Sequence, residues 1–272
     1  MPHFSLADAV KEAFETTDAR EKAAKAQLIY AQAVKGDAQP VSVLPLSDRP
    51  GRPDTPQLMP PKDVPRRRIS RTPQGRIALL HAIAHIELNA IDLALDMVVR
   101  YAQAKLPYDF VLDWLSVAAD EGRHFTLLAD RLETLDSHYG ALYAHDGLWE
   151  AALKTKDDLL GRLAIAPMVL EARGLDVTPQ LITKMKGVED DASADILQII
   201  MTDEVGHVAI GKKWFDYVCG CERLDPISTW QQLVSRYFRG ELKPPFNIDA
   251  RKAARFSAAF YSPLAQGRQM TG

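Results

Sequence analysis

Glutamate and histidine stand three residues apart twice in this chain, in Asp120-Glu121-Gly122-Arg123-His124 and again in Asp203-Glu204-Val205-Gly206-His207. Residues three apart on an α-helix share one face, roughly 60° from each other, so each stretch offers a carboxylate and an imidazole to the same point in space. A further glutamate precedes each pair: Glu87, in AHIELNA, stands 34 residues before Glu121, and Glu171, in VLEARG, stands 33 before Glu204. The two halves repeat, since Glu87 to Glu171 spans 84 residues and Glu121 to Glu204 spans 83. A step of about 33 residues is roughly one up-and-back passage through an antiparallel pair of helices. The repeat therefore predicts an all-α chain whose two helix hairpins bring four ligand clusters to one height.

Four glutamates grouped in an apolar interior would repel each other and lose their hydration, so without cations most would have to be protonated. Two divalent ions change that sum. Four carboxylates at −1 and two neutral imidazoles against two ions at +2 give a net charge of zero. An oxygen-rich set with one imidazole per metal suits two iron ions, or else manganese or a mixed pair, better than structural zinc, which favours Cys and His. Asp120 and Asp203, directly before the motif glutamates, are candidates to accept the other ring N–H of a metal-bound histidine and so fix its tautomer. Arg123 flanks His124 in the first motif, where the second has Gly206 before His207.

The order Glu, Glu-x-x-His, Glu, Glu-x-x-His is the ligand set of di-iron and di-manganese helix bundles. DEGRH resembles the Asp-Glu-x-Arg-His motif of ferritin-like di-iron carboxylate proteins, which include bacterial multicomponent monooxygenase hydroxylases and ribonucleotide reductase small subunits. The resemblance implies a ferritin-like four-helix bundle in which Glu87, Glu121, His124, Glu171, Glu204 and His207 hold two metals. It also implies that Asp120 bonds His207 and Asp203 bonds His124, with one outer link missing where Gly206 replaces the arginine. The whole chain more closely resembles an uncharacterised bacterial ferritin-like family known only as a domain of unknown function.

Ser5 can cap a first helix, and a second spans about 17–34; both read as an N-terminal appendage. Nine of the 17 prolines fall between Pro40 and Pro73, which excludes long helices there. This arm carries Val41, Val43, Leu44, Leu46, Leu58 and Met59, apolar enough to pack across the bundle. The bundle helices are expected over about 72–105, 109–136, 148–173 and 190–218, the third kinked at Pro167 and ended by Gly174. Thr178-Pro179 should start a short helix, and helices near 226–238 and 248–260 should close the chain. The expected organisation is thus 1–71 as helices and arm, 72–220 as the di-metal bundle and 221–272 as helices packing on it, all one structural unit. His81 and His85 lie off the Glu87 face and read as surface or interhelical hydrogen-bonding groups.

At 272 residues and 47% hydrophobic content the chain can bury a sizeable core. A net charge of −3 speaks against nucleic acid as a partner, despite a basic cluster at Arg66, Arg67, Arg68 and Arg71. Cys219 and Cys221 are too close for an ordinary bridge and read as plain thiols of a reducing cytoplasm. The start MPHFSLADAVKEAFE is too polar for a signal peptide, and no membrane association is expected. The leading functional expectation is an O₂-dependent di-iron oxidoreductase, a hydroxylase or oxygenase, with an electron donor and a small homo-oligomeric state. A ferroxidase-like iron-binding protein and a bundle with structural metals are the alternatives, because ligands alone do not separate these outcomes.

Overall fold

Long amphipathic and buried helices account for nearly all regular structure, as the spacing of the apolar residues predicts. The computed structural model describes residues 5–36, 45–64, 72–101 and 106–266. In chain order the helices are α1 (Leu6–Glu15), α2 (Ala19–Val34), α3 (Pro73–Arg100), α4 (Tyr108–Glu133), α5 (Gly147–Lys154), α6 (Leu159–Ile165), a π-turn (Ala166–Glu171), α7 (Ala172–Gly187), α8 (Asp191–Glu222), α9 (Pro226–Tyr237), α10 (Ile248–Ala253) and α11 (Ala258–Gln266). Among the described residues the only extended pairing is an isolated bridge between Leu58 and Ala144. The fold is all-α. By contact it forms two compact units, Met1–Trp149 with Lys184–Ile196, and Glu150–Thr183 with Leu197–Gly272, which cut across the boundaries expected from sequence.

The first unit is built on α3, in which every residue from Glu87 to Val99 is buried. Such a helix is long and apolar enough to cross a membrane by length and composition, but most of that stretch is buried inside the protein. It also carries Glu87, Asp92 and Asp96 in its buried part. Buried charges of this kind mark a core helix with partners to satisfy, and here they have them. The Lys22 ammonium donates to Asp92 at 2.5 Å and to the carbonyls of Gly51 and Phe14 at 2.7 and 3.1 Å. Arg52 reaches the other oxygen of Asp92 at 2.9 Å and Asn89 at 2.7 Å.

That network corrects the reading of α1 and α2 as an appendage. Helix α2 packs on α4, and Phe14, Ala23 and Ala26 are fully buried. The arm is likewise packed along this unit: Leu46 and Met59 are half-buried and Pro50 and Pro56 buried, while Leu58 is 48% exposed, and the arm's backbone adds further ties. Prolines keep it out of a helix, so its backbone groups need outside partners. Gly51 N donates to Phe14 O at 2.9 Å, Met59 N to Ala144 O at 2.8 Å, and Trp149 Nε1 to Asp48 O at 2.9 Å. Val41, Val43 and Leu44, and the basic cluster at Arg66, Arg67, Arg68 and Arg71, lie outside the described residues.

In the second unit the expected helix over 148–173 is instead three pieces: α5, α6 and the π-turn. Pro167 has no N–H to give an α-helical partner, and the ladder widens to π geometry around it instead of simply bending. Gly174 ends nothing, because α7 runs on through it, and Thr178-Pro179 lies inside α7 instead of starting a helix. Pro179 leaves the carbonyl of Leu175 without its usual donor, and Asn247 Nδ2 supplies one at 3.1 Å. The same remedy recurs in α11, where Pro263 deprives Ala259 O and Gln231 Nε2 donates to it at 3.1 Å. The closing helix expected over 248–260 is likewise two, α10 and α11.

Candidate metal centre

Helices α3 and α4 bring Glu87, Glu121 and His124 together within the first unit. Their relative exposures are 3%, 0% and 0%. His124 Nδ1 lies 3.1 Å from Glu87 Oε2 and 3.4 Å from Glu121 Oε2. One ligand atom from each of the three falls within 4.8 Å of the others. Gly122, between the two motif residues, faces away from this cluster's α3 partner and lets α4 cross α2 closely: a Cβ there would stand 2.7 Å from the carbonyl oxygen of Ala23 on α2. A lone glycine inside a helical pattern is the signal that could have revealed the crossing.

Burial, followed by the neighbouring Glu121 charge, holds the Glu87 carboxyl well above its ordinary range, while His124 works in the other direction. For His124, burial opposes the charge, but hydrogen bonds to Glu121 and Glu87 outweigh it and push the imidazole up to about 11. His124 Nδ1 thus faces a carboxyl oxygen of Glu87 and one of Glu121. These are hard oxygen donors and an imidazole nitrogen, all facing one point and short of positive charge, and a divalent cation fits that need with release of the proton.

The second unit places Glu204 and His207 on α8, 8% and 2% exposed, with His207 Nδ1 3.7 Å from Glu204 Oε1. The imidazole is turned toward the carboxylate of its own motif through the same nitrogen as in His124. Glu171 closes the π-turn and is half-buried. A Cβ on Gly211 of α8 would stand 2.3 Å from the Pro167 ring, so glycine and proline set how closely the π-turn approaches α8. Gly206 is different: a Cβ there meets nothing within 4 Å.

Of the residues flanking the ligands, Asp120 accepts from Arg123 Nη2 at 3.3 Å, and both are about two-fifths exposed. Asp203 is half-buried. His81 and His85 are buried hydrogen-bonding groups: His81 Nε2 accepts from the amides of Gly140 and Leu142 at 3.0 and 3.4 Å. His85 Nε2 donates to the carbonyl of His145 at 3.2 Å, so its Nδ1 accepts from the Tyr139 hydroxyl at 2.8 Å. Burial, then the nearby Arg52 charge, pushes His85 down to about 3, so it stays neutral. Cys219 is a buried thiol raised to about 11 by burial and then by Asp216, while Cys221 is exposed, and both are free.

Fold and site together define a helical protein with a buried Glu/His cluster that can hold a metal ion. The chain belongs to the family described as "Protein of unknown function (DUF455)", whose model matches residues 15–262. It is 40% identical over 259 residues to an "Uncharacterized protein" of Haemophilus influenzae, covering 91% of this chain and 89% of that one. No solved structure matches the chain.

Proposed function

We propose that the two half-sites act together on a pair of iron ions, and that the protein is an O₂-dependent di-iron oxidoreductase acting on an organic substrate. The observation that carries this reading is the buried triad of Glu87, Glu121 and His124, repeated in pattern by Glu171, Glu204 and His207. In this reading Glu87, Glu121, His124, Glu171, Glu204 and His207 would hold the two ions between them. When bound, a pair of ferrous ions supplies two electrons for the reduction of dioxygen. The chain neutralises the ions with four carboxylates and keeps water from the first triad by burial. Asp120 and Asp203 are proposed to orient the histidines, and Arg123 to hold Asp120. Manganese is the alternative metal, and a small homo-oligomer served by an electron donor in the cytoplasm is the expected setting.

The reading is tested by metal analysis and stopped-flow reaction of the ferrous protein with O₂. An oxygenase should bind two irons per chain, consume about one O₂ per site without substrate and then stop. Continued loading far beyond two irons in a particle of many subunits would replace this reading with iron storage. Less than one equivalent after iron and manganese supplementation would remove the metal reading altogether.

A further inference from the structure

Immediately after Glu171, the first turns of α7 are gripped by side chains from the C-terminal segment. Arg251 is buried, and it meets Asp176 as a fork: Nε donates to Oδ1 at 2.9 Å and Nη2 to Oδ2 at 2.7 Å. The same Nη2 donates to the carbonyl of Ala172, the residue next to Glu171, at 3.3 Å. Asn247 donates its backbone N–H to Asp176 Oδ1 at 2.9 Å and its side-chain amide to Leu175 O at 3.1 Å. Arg173 Nη1 donates to Lys243 O at 2.7 Å. The guanidinium also lies 4.4 Å from the Tyr261 ring centroid and 4.9 Å from that of Phe246.

Replacing a buried ion pair with apolar groups often costs little, so stability alone is a weak reason for this arrangement. What the fork does supply is a single orientation, because a planar guanidinium held at three acceptors and against two rings cannot rotate. It acts where the backbone leaves π geometry for α geometry, a junction that hydrogen bonds within the helix do not fully define. We propose that Arg251, with Asp176 and Asn247, is a positioning residue for Glu171: it locks the exit of the π-turn so that the carboxylate is presented to a metal in one direction. The role rests on the metal-binding reading above. It gives the C-terminal helices a part in the centre that no ligand motif marks.

Cobalt(II) titration of the full chain, followed by visible absorption, tests the role with Arg251→Lys, Glu171→Ala and the double variant. Arg251→Lys keeps the charge but loses the fork, and should weaken one of two equivalents about 10–100-fold and alter its absorption band while the far-UV circular dichroism is retained. In the double variant the loss should be no greater than in Glu171→Ala alone, because Arg251 acts through Glu171. A folded Arg251→Lys protein that binds both equivalents normally, or losses that multiply in the double variant, would overturn the positioning role. Failure of the wild-type chain to bind cobalt, iron or manganese would instead overturn the metal reading, and this proposal with it. Should Arg251→Lys not fold, Asn247→Ala takes its place: a weaker loss at the same equivalent supports the role, and unchanged binding overturns it.

Discussion

The two Glu and Glu-x-x-His sets use the same residue types at nearly the same spacing but are supported in different ways. In the first unit Glu87 and the Glu121/His124 pair sit on two long unbroken helices, and Gly122 lets the second of these cross α2 closely. In the second, Glu204 and His207 ride on a still longer helix, but Glu171 stands at the end of a proline-containing π-turn held by side chains from far along the chain. A regular helix needs only its own ladder to aim a ligand. A broken one needs caps, and α7 is capped by Asn247 and Arg251. The comparison teaches that the ligand pattern can be kept while the mechanical support behind it is exchanged.

The largest expected effect comes from deleting the motif carboxylates. Under the proposed function, Glu121→Ala should abolish the O₂ reaction and remove most of any metal-induced rise in Tm, since the protein loses the binding energy that favours the folded state. Glu204→Ala should do the same to an equal degree if both carboxylates serve one pair of ions. Calorimetric scans with and without added iron compare them, and strongly unequal losses would mean that the half-sites work separately.

Glycines distinguish the two supports next. Gly122→Ala pushes a methyl group against the Ala23 carbonyl, and Gly211→Ala pushes one into the Pro167 ring. Each should cost about 1–3 kcal/mol in urea unfolding, by overpacking. Neither site has a soft side-chain end to yield. If Gly211→Ala proved neutral, the π-turn would be free to shift and the contrast between the supports would weaken.

Acid tests the first unit's ionic frame. Asp190 caps α8 and binds Arg131 and Arg76 at 2.7 and 3.0 Å. Burial tends to raise its carboxyl, but hydrogen bonds from the Ser193 amide and hydroxyl, together with Arg131, prevail and hold it below its ordinary value. Its stabilisation is therefore present above an unfolded value of about 3.9 and lost as pH falls through the lower folded value. Asp190→Asn should lower stability at pH 7 by about 2 kcal/mol and flatten the loss below about pH 4. An unchanged acid limb in the variant would assign that limb to other carboxylates.

The smallest change should be a gain. Gly206 occupies a helix with open space around its Cβ position, so Gly206→Ala should add roughly 0.5–1 kcal/mol by reducing the freedom of the unfolded chain. Its opposite sign from Gly122→Ala, in the other Asp-Glu-x-x-His motif, sharpens the comparison most directly.

Sequence alone determined the helical class, the long helices α3, α4 and α8, and the sharing of one helix face within Glu121/His124 and within Glu204/His207, because three- and four-residue periodicity is a local property of one helix face. The burial of Glu87 on α3 was also legible, since it shares the stripe of Leu80, Ala84, Ile91 and Leu95. Tertiary structure decided the rest. Whether Pro179 breaks a helix or is absorbed into one depends on a donor from about 70 positions away, Asn247. Whether a glycine is an idle gap or a helix crossing depends on what stands 3 Å from it, and nothing in DEGRH names Ala23. The incorporation of α1, α2 and the arm into the first unit likewise rests on buried partners of Asp92 drawn from distant segments, Lys22 and Arg52. Long-range pairing of this kind has no period in the sequence, because it is set by which surfaces meet when the chain folds.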